Sequence, residues 1–222
     1  MVNIKDNTVP GNNQMVANSK TPFIGNPDAK LRILVLGNSI TRHGPNYDIG
    51  WPYCWGMAAS AEDKDYVHRL HAKLTEANVD TYIMVRNASC WERGFLKDDI
   101  FEQLKDEKDF CPNIVVLRLG ENVLPDDKPY FKDGLRKFMN YICSDKTRVL
   151  FTTCFWQNEI IDNAIKEIAS ERGEVCLDGY LAYDESNMAL GLFEHSGVAM
   201  HPGDKGMEKI ADLIFDGIKE LI

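Results

Sequence analysis

The sequence predicts an α/β protein, a three-layer α/β/α sandwich around a five-stranded parallel sheet. Three observations carry this prediction. Short apolar runs rich in β-branched residues alternate with longer stretches whose apolar residues recur at helical spacing. The 222 residues suffice for one full core, and 44% hydrophobic with 27% charged residues is the balance of an ordinary globular chain. No internal repeat or low-complexity tract breaks the alternation, so one sheet covered on both faces accounts for the pattern.

Taken in order, residues 1–30 are rich in Asn, Pro and Gly and read as an N-terminal arm, and residues 31–222 as a single domain. The strand runs are Leu31 to Leu36, Thr81 to Val85, Ile114 to Leu119, Arg148 to Phe155 and Glu174 to Leu177, bounded by Gly, Asn or Pro. Helical spacing appears at Val67, Leu70 and Leu74, again at Ile161, Ala164, Ile165 and Ile168, and last at Met207, Ile210, Leu213, Ile214 and Ile218. Asp204 stands where an N-cap of the last helix is expected.

The net charge of -9 argues against nucleic acid or an anionic membrane surface as partner, and no Lys/Arg-rich run offsets it. The N-terminus has no basic stretch followed by a long apolar run, so neither a signal peptide nor a membrane span is expected. Six cysteines form no CxxC pair and no zinc-finger spacing, and Cys154 and Cys176 sit in strand runs. Reduced thiols in a cytoplasmic protein are the expectation, with export open where a leader has been removed. His68 and His71, three apart on a helix, read as a solvated face, and no metal site is expected.

Sheets of this kind place their chemistry at the carboxyl ends of the strands. The first strand runs into Gly37-Asn38-Ser39-Ile40-Thr41, where the glycine permits a tight turn that lifts a hydroxyl to the rim. Asn87-Ala88-Ser89 follows the second strand, Gly120-Glu121-Asn122 the third, and His201-Pro202 precedes the last helix. First and third strands are commonly neighbours at the switch point, so Ser39 and Asn122 are expected to face one crevice, with His201 arriving from the loop after the fifth strand.

The order of these segments resembles the SGNH (GDSL-like) hydrolase family, over about Leu31 to Ile222. Gly37 to Thr41 is similar to its nucleophile block, with Asn38 for the commoner Asp. Gly120-Glu121-Asn122 is similar to the block that supplies an oxyanion-binding Asn, and the run His201 to Met207 to the block that carries the base. The resemblance implies a flavodoxin-like sheet and a serine esterase without a cofactor. Ser39 would be the nucleophile and His201 its general base. Asn122 and the backbone N–H of Ser39 would hold the oxyanion, each such donor contributing ~3 kcal/mol.

Two departures stand out. The family's usual Asp three residues before the base is Val198 here, which leaves a Ser–His dyad oriented by a backbone carbonyl (that of Val198), or a substitute carboxylate from Glu194 or Glu92. The second-block glycine aligns with Glu92, whose backbone N–H could still serve the oxyanion hole, but whose carboxylate must turn away and pair. Arg118 lies in an otherwise apolar strand run, and Arg is seldom buried without a counter-charge, so an ion pair with Glu92 or Glu121 beneath the site is expected.

On the substrate side, His43 to Trp55 is an aromatic loop. Its Trp51 and Trp55, with Trp91, are candidates for a sugar-stacking or acyl-binding wall, or for a small packed lid, and His43 is a candidate polar contact or an exposed loop histidine. The resemblance implies a small-molecule or carbohydrate ester, acetyl above all. A thioesterase or lysophospholipase, or a binding module that keeps the fold without the chemistry, stand as alternatives.

Overall fold

Along β2 (Leu31–Gly37) successive side chains point to opposite faces, and both faces are apolar: Ile33 and Val35 on one, Leu34 and Leu36 on the other. β3 (Thr81–Asn87), β4 (Ile114–Leu117) and β5 (Arg148–Thr152) repeat the pattern, so each strand needs cover on both sides. A computed structural model, which describes residues 22–97 and 99–222, shows that cover. With the edge strands β1 (Phe23–Gly25) and β6 (Cys176–Leu177) the sheet order is β1-β3-β2-β4-β5-β6. All pairs are parallel except β1 with β3.

The expected five parallel strands are thus present, and a sixth joins them. Phe23–Gly25 falls within the stretch read as an arm. It pairs antiparallel with β3, and Phe23 stacks on Tyr82 with ring centroids 5.0 Å apart. The rest of that stretch, residues 1–21, lies outside the described residues.

The helices are α1 (Tyr66–Glu76), α2 (Ser89–Glu92), α3 (Lys105–Asp109), α4 (Phe131–Ile142), α5 (Glu159–Arg172), α6 (Ser196–Ala199) and α7 (Asp204–Lys219). One face of the sheet carries α1 and α7 through Leu70, Leu74, Ile210 and Ile214. The other carries α4 and α5 through Leu135, Phe138, Ile165 and Ile168. α4 adds to the helices expected from the sequence, although its buried Phe131, Leu135, Phe138 and Ile142 recur at helical spacing.

Asp204 corrects its expected role. Gly203 occupies the N-cap position of α7 and Asp204 is the first helical residue. Its carboxylate instead accepts from the backbone N–H (2.9 Å) and the hydroxyl (2.6 Å) of Ser60, tying the helix start to the loop before α1. The true side-chain cap is on α1, where Asp65 accepts from the His68 N–H at 2.8 Å and from its ring. β2 lies between β3 and β4, so the switch point falls at its carboxyl end, between the loops that follow β2 and β4.

Candidate active site

The chain leaves β2 at Gly37, where any side chain would run into Thr41 Oγ1. The N–H groups of Thr41 and Arg42 both donate back to the Asn38 carbonyl at 3.0 Å, closing a tight turn around Ser39. Its hydroxyl meets Nε2 of His201 at 2.8 Å, across 162 residues of sequence. The other ring nitrogen, Nδ1, lies 2.6 Å from the carbonyl oxygen of Gly197. A carbonyl only accepts, so Nδ1 carries the proton and Nε2 presents its lone pair to Ser39.

The orienting carbonyl is therefore that of Gly197 rather than of Val198, as expected from the sequence. α6 is one helical turn, and the ring of His201 folds back over it onto the carbonyl four residues earlier. The Val198 carbonyl accepts from the His201 backbone N–H (2.9 Å), and the Val198 side chain is buried against Trp51 and Met57. Glu194 is exposed. Among the described residues the hydrogen-bond partners of the His201 ring are Ser39 and Gly197, with no carboxylate between them. Burial pulls His201 down to about 3 against the Gly197 bond, and His43, Arg118 and His195 push the same way as burial.

Opposite this pair stands a buried network of charge. Glu92, wholly buried, accepts at Oε1 from the N–H groups of Gly120 (2.6 Å) and Asn122 (3.3 Å) and from Asn38 Nδ2 (3.2 Å). Its Oε2 accepts from Asn122 Nδ2 at 2.6 Å. Asn38 Nδ2 also donates to Glu121 Oε2 (2.6 Å), and Glu121 Oε1 takes the Arg118 guanidinium (2.8 Å) and the Phe155 N–H (3.0 Å). The buried Arg118 is thus paired, with Glu121 of the two carboxylates expected. Burial, and after it the neighbouring Glu121, push Glu92 up to about 7, while the donors from Gly120, Asn122 and Asn38 pull it down.

This network corrects two readings of Glu92. Its carboxylate faces Gly120 and Asn122, so it does not orient His201. Its backbone N–H donates to the Ala88 carbonyl at 3.2 Å within α2, and is engaged there instead of facing an oxyanion. The network also explains Asn38. Its Oδ1 accepts from Ile40 N–H (3.3 Å) while its amide nitrogen serves two carboxylates, so an aspartate here would bring a third into a buried cluster. Gly120, with φ +137, has the same kind of necessity: a Cβ would strike Ile161 and Cys154.

The aromatic candidates part company. Trp91 turns to the opposite face of the sheet and stacks on Phe138 at 4.4 Å, so it is core and no part of a substrate wall. Trp51 is wholly buried and donates to the His43 carbonyl (3.3 Å), holding the aromatic loop together. Trp55 is half-buried and stacks on the exposed Tyr53 at 4.3 Å. His43 is buried rather than a loop surface histidine. Its Nδ1 faces the Gly44 carbonyl (2.5 Å), and burial pulls it down to about 4. Trp156, which the sequence reading passed over, packs edge-on to the His201 ring at 5.5 Å. The signal for it was its place, just past the carboxyl end of β5.

Fold and site together define a doubly wound α/β architecture with a serine–histidine pair at its switch point. No protein-family model matches the chain, and no curated protein sequence matches it. Solved structures do share its fold. A lipase/acylhydrolase from Enterococcus faecalis superposes with TM-score 0.59 at 17% identity, over 86% of this chain and 96% of that one. An α/β hydrolase enzyme from the metagenome of Lake Arreo, Spain, gives 0.58 at 15%, over 87% and 97%. An acetylxylan esterase from Geobacillus stearothermophilus gives 0.57 at 14%, over 86% and 94%. At these identities the likeness is one of fold.

Proposed function

We propose that this chain is an SGNH-type serine esterase that hydrolyses carboxylic esters of small acyl groups, with Ser39 as nucleophile and His201 as base. The observation that carries the reading is the alignment of Ser39 Oγ, the His201 ring and the Gly197 carbonyl in one hydrogen-bonded line. Burial keeps the resting imidazole neutral above about pH 3, with its Nε2 lone pair facing the Ser39 hydroxyl, while it also weakens that nitrogen as a base.

In the first half-reaction Ser39 Oγ bonds to the acyl carbon as its proton passes to His201 Nε2. The carbonyl electron pair moves onto oxygen, where the Asn122 amide and the Ser39 backbone N–H would receive it. Collapse breaks the bond to the alcohol, which leaves with the proton from Nε2. A water then repeats the sequence on the acyl-enzyme, losing its proton to His201 and releasing the carboxylic acid. Gly197 stabilises the imidazolium with a dipole where the family commonly uses a carboxylate, so slower proton transfer than in a full triad is expected.

Acetyl groups on carbohydrate are the substrate class we favour. The acetylxylan esterase among the structural neighbours supports it. So does the exposed Tyr53 stacked on Trp55, on a segment whose Met57 N–H donates to the Ser39 carbonyl (2.9 Å). The test is p-nitrophenyl acetate hydrolysis by wild type and Ser39→Ala side by side. Turnover in wild type that falls at least ~10³-fold in the variant is expected. Equal rates in the two would sink the reading and favour a fold kept for binding.

A further inference from the structure

We infer that Glu92 is a positioning residue: as a carboxylate it locks the Asn122 side-chain amide in one orientation, and as a carboxylic acid it releases that amide. The inference rests on the esterase reading only for its kinetic consequence.

The argument is one of donors and acceptors. Oε1 of Glu92 faces three groups that can only donate. Two are the backbone N–H groups of Gly120 and Asn122. The third is Asn38 Nδ2, whose amide cannot turn over without breaking the Ile40 N–H bond to Oδ1 and losing its donation to Glu121. A proton on Glu92 therefore belongs on Oε2. There it confronts Asn122 Nδ2, which donates to that oxygen at 2.6 Å. Two donors would then face each other. Turning the Asn122 amide relieves the conflict at Oε2, but sets its nitrogen against the Arg93 guanidinium, which donates to Asn122 Oδ1 at 3.4 Å. Either way the amide loses an anchor, and the nitrogen that would receive an oxyanion is no longer held by the Glu92 carboxylate.

The groups around Glu92 fix where this happens. Glu121 faces it from the same loop as Asn122 and raises it, as burial does, to about 7. Arg93 lies beside it on the same segment and Arg118 beyond Glu121, both cationic, while Cys154 from the loop after β5 is held protonated by burial. His201, neutral down to about 3, is not the group that changes near neutrality.

Two measurements test the inference. In ¹⁵N–¹H spectra the Asn122 side-chain amide, assigned by its loss in Asn122→Ala, should shift between about pH 6 and about 8 in wild type and stay still in Glu92→Gln. In kinetics, kcat should fall below about pH 7 in wild type, with this limb absent from both Glu92→Gln and Asn122→Ala. Each single variant should lower kcat on the order of 10²-fold with KM little changed, and the double variant no further.

An amide that does not move with pH, a limb that survives in Asn122→Ala, or losses that multiply in the double variant would each overturn the inference. Should Glu92→Gln not fold, the wild-type amide titration and the Asn122→Ala profile still decide. The spectra need no turnover, so absent Ser39-dependent hydrolysis would refute the esterase reading, whereas a static amide would refute this one.

Discussion

On one side of Ser39 the supporting groups are neutral: the His201 imidazole, the Gly197 carbonyl, the edge of Trp156 and the buried His43 ring. On the other side, Asn38 and Asn122 are held by ions, Glu92 and Glu121 with Arg118 beneath. The two sides lean opposite ways with pH. His43 and His201 lie below their ordinary 6.5, so protonation favours the unfolded chain. Their contribution to stability is complete above 6.5 and is lost as pH falls toward 4. Glu92 lies above its ordinary 4.5, so its proton favours the folded chain, and stability is lost as pH rises from 4.5 through about 7. On the proposed esterase reading, the His201 side stays neutral at all ordinary pH, whereas the Asn122 side is loosest where the protein is least burdened with buried charge.

Removing the cation breaks the comparison most severely. Arg118→Met takes from Glu121 its ion-pair partner and leaves that largely buried carboxylate beside the wholly buried Glu92. Loss of about 3–5 kcal/mol of unfolding free energy is expected, read by urea denaturation at pH 8. The same variant should recover much of that loss at pH 5, because a proton on Glu92 removes the repulsion between the two carboxylates. A loss independent of pH would mean that Arg118 acts by packing alone.

Asn38→Asp should come next, at about 2–3 kcal/mol by the same measurement. The Ile40 N–H keeps its acceptor, but both contacts to Glu92 and Glu121 become carboxylate to carboxylate. This penalty should also shrink at pH 5. Combining it with Glu92→Gln sharpens the test, since one carboxylate then leaves as another arrives. A double variant no better than Asn38→Asp would show that Glu121 alone sets the identity of residue 38.

These carboxylates mark where the sequence stopped being readable. The five parallel strands were legible because a strand buried on both faces has to be a continuous apolar run, and the meeting of Ser39 with His201 because one stands at a strand end and the other just before a helix. The need for an Arg118 partner followed from burial alone. What was hidden depends on rotations that no spacing records. One turn of helix at Ser89–Glu92 decides that Trp91 enters the core while the Glu92 carboxylate faces Asn122. Another at Ser196–Ala199 brings the carbonyl of residue 197 rather than 198 under the ring. The edge strand at Phe23–Gly25 is three residues long, too short for any periodicity, and exists through its pairing with β3.

The smallest effect is the one that isolates the neutral side. His43 is buried with its Nε2 meeting no partner, so an apolar ring of similar size gives up one hydrogen bond, from Nδ1 to the Gly44 carbonyl. At pH 8, where both rings are uncharged, His43→Phe should fall below wild type by about 1–3 kcal/mol, the cost of leaving the Gly44 carbonyl without its donor. At pH 5 the wild type carries the strain of a histidine that the unfolded chain protonates readily and the folded chain resists, pulled down as it is to about 4. The variant escapes it, so its stability relative to wild type should rise by about 2 kcal/mol between pH 8 and pH 5. Its stability will still decline toward acid, because His201 remains and is depressed for the same reason. Urea midpoints of the two proteins at pH 5 and pH 8 suffice. A difference that stays the same at both pH values would mean that the His43 ring reaches water, and the neutral half of the site would lose the dryness on which a carbonyl-oriented base depends.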